Sequence, residues 1–161
     1  MATRGSDLVV QVHPLEDSYS AALREAVLAA LGRADTPCYR LCQGERPPIG
    51  ALREAGRIVL VYPTWSGGLP SHLLGWLHEL FDGGVGPERA TELVAVTTCG
   101  SSQFVNRVQG EWGRRYLRTE LLGRCAPGAR FRWLCLYKVD RRSRTEMASH
   151  LDRVAAALTP R

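Results

Sequence analysis

Lysine is almost missing from this chain. Of 21 basic residues only Lys138 is lysine and the rest are arginine, a skew that a GC-rich coding sequence produces without any demand of function. Paired cysteine spacing is missing too. Cys38, Cys42, Cys99, Cys125 and Cys135 form an odd set with no C-x-x-C, which argues against a disulfide framework and against a four-thiolate zinc site, so no metal is expected. Apolar runs such as Ile58 to Tyr62 fall far short of the roughly 20 residues that span a bilayer. No apolar segment of a secretion signal stands between Met1 and Asp7, so a cytoplasmic location with reduced thiols and no membrane insertion is expected. No repeat, linker or low-complexity stretch breaks the chain. Hydrophobic residues at 45% and charged residues at 23% suit a folded globular protein, and 161 residues fit one domain over 1–161.

The formal net charge is +5, and it is unevenly placed along the sequence. Between Arg107 and Arg144 eleven basic residues stand against Glu111, Glu120 and Asp140, a local excess of eight, which leaves the remainder acidic. Such a block reads either as a surface for nucleic acid or as a solvated face beside an anion pocket. With no zinc finger, helix-turn-helix pattern or aromatic-rich strand alongside the arginines, the second reading is favoured and nucleic acid is not an expected partner.

Three runs rich in β-branched residues, Leu8–Val12, Ile58–Tyr62 and Leu93–Thr98, are apolar almost throughout, the pattern of interior strands in a parallel sheet covered on both faces. Phe131–Tyr137 is a fourth strand, with Phe131, Trp133, Cys135 and Tyr137 on one face, and Pro37–Leu41 a weaker fifth. Helical spacing fills the gaps. Asp17 or Ser18 caps a helix carrying Leu23, Val27 and Leu31, and Gly32 stops it. Pro70 opens a second with Leu73, Leu77, Leu80 and Phe81 inward. A third is expected from about Val105 to Leu122, and a last from about Ser143 to Leu158 burying Met147, Leu151, Val154 and Leu158. Alternating strand and helix imply an α/β domain with right-handed crossovers.

Ligands of such a sheet bind beyond the carboxyl ends of its strands, where strand order reverses. Three loops leave the best strands there: His13–Ser20, Pro63–Pro70 and Thr97–Ser102. The first sets Ser18, Tyr19 and Ser20 at a helix N-terminus, which favours an anion through unpaired N–H groups and the helix dipole, and His13 adds a donor. Ser18 reads equally as a plain cap. The second joins Trp65 to two glycines, Gly67 and Gly68, that let backbone approach a flat ligand. Small residues and N–H groups come from the third, where Cys99 reads as a packing thiol, no histidine and acid being placed beside it.

Taken together, His13-Pro14, Ser18-Tyr19-Ser20, Pro63-Thr64-Trp65, Pro70, Leu73-Leu74-Gly75-Trp76 and Thr97-Thr98 resemble the flavodoxin-like NAD(P)H dehydrogenase (quinone) family, whose members show H-P-x-x-x-S-F-N, P-x-W-W-x-x-x-P-x-x-L-K-x-W-x-D and T-T-G-G loops in this order. The resemblance implies a doubly wound five-stranded parallel sheet of order 2-1-3-4-5 with helices on both faces. It implies bound FMN rather than FAD, with NAD(P)H, that is NADH or NADPH, as co-substrate and hydride passing through the flavin to a small acceptor such as a quinone. His13, Ser18, Tyr19 and Ser20 would hold the flavin phosphate. Pro63, Thr64, Trp65, Ser66, Gly67 and Gly68, with Thr97, Thr98, Cys99 and Gly100, would cradle the ring. The family commonly forms homodimers with the flavin at the interface, which Trp65, Trp76 and Trp112 would face.

The chain departs from that pattern at several places. Leu74 stands for the lysine of the second motif, His78 for its later acid, Ser66 for the second aromatic and Ser20 for the usual asparagine. In the longer quinone reductases of the family, a Q-G-x-H-G segment supplies a histidine, with a tyrosine four residues before its glycine. The corresponding residues here are Trp112 and Asn106, and the chain stops where those enzymes add an extension that helps hold FAD. Both facts favour FMN and leave quinone as one acceptor among several. Two other functions fit the residues. One is a regulatory or accessory subunit that binds flavin or nucleotide with little turnover, since the family includes ancillary partners of potassium efflux systems; the other is a flavin-free protein binding polyanions through the arginine block.

Overall fold

The computed structural model describes residues 6–32 and 36–159. Five parallel strands, β1 (Ser6–Gln11), β2 (Cys38–Arg40), β3 (Ala55–Thr64), β4 (Glu92–Cys99) and β5 (Arg130–Tyr137), form one sheet in the order β2-β1-β3-β4-β5. This is the flavodoxin-like arrangement that the family resemblance implies. The order reverses between β1 and β3, so the carboxyl ends of these strands and of β4 open on one rim.

Alternate residues of each inner strand enter opposite cores, as the two-residue strand period requires. Leu8, Val10, Ile58, Leu60, Leu93 and Ala95 pack with Leu73, Trp76, Leu77 and Leu80 of α3 (Ser71–Asp82) and with Leu52 of the short α2 (Ile49–Glu54). Val9, Val59, Val61, Val94 and Val96 pack with Leu23, Val27 and Leu31 of α1 (Tyr19–Leu31) and with Val154 and Leu158 of the last helix (Arg144–Leu158). Each such side chain contributes roughly 1.5–3 kcal/mol on leaving water, so the two cores hold the helices against both faces of the sheet. Ser18 caps α1 by accepting from the Ala21 N–H, and Gly32 closes it in the left-handed region at φ 64°.

Three expectations are corrected. The single helix from 105 to 122 is broken: α4 (Gln103–Val108) stops at Gln109, Gly110 and Glu111 turn the chain at φ 85° and 43°, and α5 (Trp112–Tyr116) restarts and runs on through a wide turn at Leu117–Leu121. Trp76 faces no interface; it is 3% exposed, inside the core beneath α3. In α6 (Arg144–Leu158) the buried residue of the first turns is His150, while Met147 and Leu151 are only half-buried.

The end of the sheet opposite the rim is closed by charge. Arg57 donates to both oxygens of Asp7 at 2.8 and 3.0 Å and lies 3.6 Å from Glu92, which Arg132 also approaches at 3.5 Å and Arg130 at 3.7 Å. The arginine block is therefore no single face. Arg130 and Arg132 stand at this far end, Arg124 stacks over Phe81, Arg114 pairs with Glu111, and Arg142 pairs with Glu146 on α6.

Candidate functional site

A cleft of about 990 Å³ opens at the rim where β1, β3 and β4 end. Eleven of the fourteen residues expected from the loops line it: His13, Tyr19, Ser20, Pro63, Thr64, Trp65, Ser66, Gly67, Thr98, Cys99 and Gly100. Three do not. Ser18 is spent as the α1 cap, accepting from Ala21 at 3.1 Å and donating to the Leu15 carbonyl at 3.0 Å. Gly68 closes the Trp65 turn on the side packed against the Trp112 indole, and Thr97 is fully buried with its hydroxyl 3.0 Å from that of Thr64.

At the β1 end, Nδ1 of His13 lies 3.1 Å from the Leu15 N–H and 3.2 Å from the Leu15 carbonyl oxygen, which ties the ring to its own loop through that nitrogen. The His13 and Trp65 rings lie 6.1 Å apart and tilted by 57°. The first-turn N–H groups of Tyr19 and Ser20 have no intrahelical partner, as at any helix start. Ser20 Oγ is buried beside them without a hydrogen-bond partner, although the residue is only 6% exposed. A buried hydroxyl with nothing to bond costs on the order of 1–3 kcal/mol, and Ser20 lines the cleft. Tyr19 lines the same wall through its ring, while its hydroxyl lies 2.9 Å from both the Met147 carbonyl and Nδ1 of His150.

At the β3 end, residues 65–68 make a tight turn closed by the Gly68 N–H to the Trp65 carbonyl at 3.0 Å. Ser66 and Gly67 both take positive φ, 50° and 74°, which suits glycine and strains serine. The turn is locked from behind. A Cβ on Gly68 would fall 2.9 Å from Cε3 of Trp112, so that indole lies against the backbone there and tolerates no side chain. Gly100 lies close to the exposed Asp140 carboxylate, whose Oδ2 would be 2.9 Å from an added Cβ and could swing aside.

Ser101, Asn106, Gln109, Val139 and Asp140 also line the cleft without being expected there from the sequence, and Trp112, expected to face a flavin interface, lines it as well. Val139 and Asp140 follow β5 and obey the same carboxyl-end rule as the other loops, so that rule alone would have found them. Asn106 and Trp112 depend on the break between α4 and α5. The Asn106 amide donates to Ser101 Oγ at 2.8 Å and to the Ser102 carbonyl at 2.9 Å, bracing the loop after β4.

Behind the turn a second, small pocket of about 10 Å³ has room for roughly one water and shares Thr64, Gly67, Cys99 and Asn106 with the cleft. Glu111, Gly113, Arg114, Trp133 and Tyr137 complete it. One oxygen of Glu111 pairs with Arg114 at 3.1 Å and the other, buried, has no partner.

No protein-family model matches the chain, and no curated protein matches it in sequence. Solved structures do match in fold. A protein of Streptococcus mutans superposes with a TM-score of 0.78 at 18% identity, covering 95% of this chain and 98% of that one. The NAD(P)H:quinone oxidoreductase of Methanothermobacter marburgensis superposes at 0.73 and 17% identity, with 96% of both chains covered. An FMN-dependent NADH-azoreductase of Bacillus anthracis, in complex with FMN, superposes at 0.68 and 12% identity, covering 96% and 97%. At these identities the likeness establishes the flavodoxin-like fold of the described residues.

Proposed function

We propose that the chain is an FMN-dependent NAD(P)H oxidoreductase that reduces a small acceptor such as a quinone. The observation that carries this reading is the unpartnered, buried Ser20 hydroxyl beside the open N–H groups of α1, facing a cleft at the point where strand order reverses. A phosphate suits that wall: it accepts from the Tyr19 and Ser20 N–H groups and from Ser20 Oγ, His13 lines the same cleft, and the α1 dipole favours its charge. A flat ring suits the other wall, where the Trp65 turn and the Thr98–Gly100 loop present an indole and bare backbone. Solved structures of this fold include enzymes that are named for NAD(P)H, FMN and quinones, which supports the same reading.

When bound, the flavin would accept hydride from a reduced nicotinamide and pass the electrons on. The chain's own part is to hold the ring, exclude water with Trp65 and Trp112, and keep the phosphate anchored. Asn106 and Trp112 carry no titrating group, so no side-chain proton relay runs through them. That weak endowment is what an accessory subunit with little turnover would share, and turnover decides between the two. Dispersal of the arginines over several faces weighs against the polyanion reading.

The elements bordering the cleft expose apolar side chains: Trp65 at 45%, Phe104 at 75%, Val108 at 71% and Trp112 at 46%. We read these as the contact with a second copy, giving a homodimer whose clefts lie at the interface. We read the chain as one domain and place it in the cytoplasm, where five unpaired thiols stay reduced. No helix among the described residues is long and apolar enough to cross a membrane.

The test is anaerobic reduction. With one equivalent of FMN added, NADH or NADPH bleaches the visible flavin band, and a quinone or azo dye restores it with multiple turnovers. Bound flavin that bleaches or recovers only over hours assigns the accessory role, and failure to bind FMN rejects the flavin reading.

A further inference from the structure

Asp140 is the cleft residue that the proposed function leaves without a task. It is the one carboxylate lining the cleft, and among the described residues no lysine or arginine lines it. Lys138, Arg141, Arg142 and Arg144 flank Asp140 in a chain of net charge +5, yet among the described residues no side chain pairs with it or hydrogen-bonds to it. Arg142 instead donates to the Tyr137 carbonyl at 2.9 Å and to Glu146 at 2.8 Å. A carboxylate kept free of four neighbouring cations is open to a ligand that brings its own donor.

The backbone sets Asp140 in place. Lys138 takes the left-handed region at φ 55°, where a residue with a side chain is strained. Its N–H donates to the Ser101 carbonyl at 3.1 Å, which ties the loop after β5 to the loop after β4. The N–H groups of Arg141 and Arg142 close back on the Lys138 and Val139 carbonyls at 2.9 and 3.1 Å, making one tight turn over Val139–Arg141. Asp140 thereby stands beside Gly100, where bare backbone leaves room for a ligand edge.

Along the rim the ends of β1, β3, β4 and β5 follow in that order. The phosphate wall at α1 and Asp140 are therefore three strand spacings apart, about 14 Å at ~4.8 Å each. A phosphate, a ribityl chain and a fused ring in line reach across a span of this order. Such a ring has an apolar end, a dimethylbenzene, and a polar end, where an imide N–H stands between two carbonyls. Laid against Asp140, the apolar end would strip the carboxylate of water and give nothing back. The imide N–H replaces the lost water with a charge-assisted hydrogen bond.

We propose that Asp140 accepts the imide N–H of the flavin ring, and so makes the β5 end of the cleft selective for a flat ring with an N–H donor at its polar edge. The proposal rests on the flavin reading and adds to it which end of the ring faces β5. It has an electrostatic consequence as well. The ring gains negative charge on reduction, so a carboxylate at its edge opposes that reduction.

The experiment removes each partner of the hydrogen bond in turn. Flavin-free chain, wild type and Asp140→Ala, is titrated with FMN and with N3-methyl FMN, in which a methyl group replaces the imide hydrogen. Wild type should bind FMN at least about tenfold more tightly than the methyl analogue, the ratio expected for a hydrogen bond to a charged group. In Asp140→Ala the ratio should fall to about twofold or less, because no charged acceptor is left to lose. Equal affinities in wild type, or the wild-type ratio retained in Asp140→Ala, overturns the proposal. Asp140 is exposed and unpaired among the described residues, so the alanine variant should fold. If it does not, Asp140→Asn decides, since it keeps the shape and loses the charge. The midpoint potential of its bound flavin should lie above that of wild type, and an equal midpoint overturns the proposal. Wild-type chain that binds neither flavin ends the flavin reading and this assignment with it. FMN binding without discrimination ends the Asp140 assignment alone.

Discussion

The hydroxyl of Tyr19 lies 2.9 Å from Nδ1 of His150, tying the first turn of α1, on the cleft wall, to the middle of α6. The same oxygen is 2.9 Å from the Met147 carbonyl. As the Tyr19 O–H has one proton, it donates to one of these two acceptors, and His150 stays neutral in either case. Burial, and secondarily the charge of Arg153, hold its imidazole down at about 4.

That relationship makes stability depend on pH in a defined window. Unfolded, a histidine takes up its proton near pH 6.5, whereas folded His150 resists until about 4. Between these values the unfolded chain binds more protons, so stability is full above 6.5 and is lost as pH falls toward 4. Urea titrations at pH 7 and pH 4.5 should show this loss in the wild type, and a smaller loss in His150→Asn, which keeps an acceptor but does not titrate. Equal losses in both would remove His150 from the explanation.

Ser18 and Ser20 should separate cleanly. Ser18→Ala removes a helix cap and costs about 0.5–2 kcal/mol of stability, with a small effect on FMN. Ser20→Ala removes a hydroxyl that has no partner in the protein and should raise the stability of the flavin-free chain, by up to about 1–3 kcal/mol, while weakening FMN by about 0.5–1.5 kcal/mol. Denaturant melts and FMN titrations on both variants check the split, and the reverse pattern contradicts the phosphate assignment.

Gly68→Ala forces Trp112 off the backbone it covers, since the new Cβ would sit 2.9 Å from the indole. Overpacking of this kind costs about 1–3 kcal/mol. A lower melting temperature together with altered tryptophan emission is expected, because the ring must move for the chain to fold.

Arg57→Met should be costly far from the cleft. Asp7 and Glu92, each 8% exposed, would lose the guanidinium that Asp7 bonds at both oxygens. Breaking a buried pair in this way costs about 3–5 kcal/mol. FMN affinity, measured below the lowered melting point, should stay at the wild-type value, since the network closes the opposite end of the sheet.

The strands and the cleft loops were legible because they follow from one-dimensional rules, whereas the strand order came from the family resemblance of those loops. Short, near-continuous apolar runs rich in β-branched residues, such as Ile58–Tyr62, read as interior strands, and ligand loops of a parallel sheet lie at carboxyl ends. The break between α4 and α5 was not legible. Val105, Val108, Trp112 and Leu117 keep a helical rhythm through it, and only Gly110 hints at the left-handed turn that Glu111 shares. Trp112 and Asn106 reach the cleft because of that break. His150 was missed for another reason: a buried polar residue is revealed by its partner, and Tyr19 stands 131 residues away.

The central claim is that the α1 end of the cleft grips a phosphate while the Trp65 turn takes a ring, and a paired titration tests it most directly. Flavin-free chain is titrated with FMN and, separately, with riboflavin, which has the same ring and no phosphate, while tryptophan emission is followed. The account predicts saturable quenching by FMN at one per chain and markedly weaker binding of riboflavin, with the gap narrowed in Ser20→Ala. Absence of FMN binding, or equal affinities for the two flavins, would contradict it.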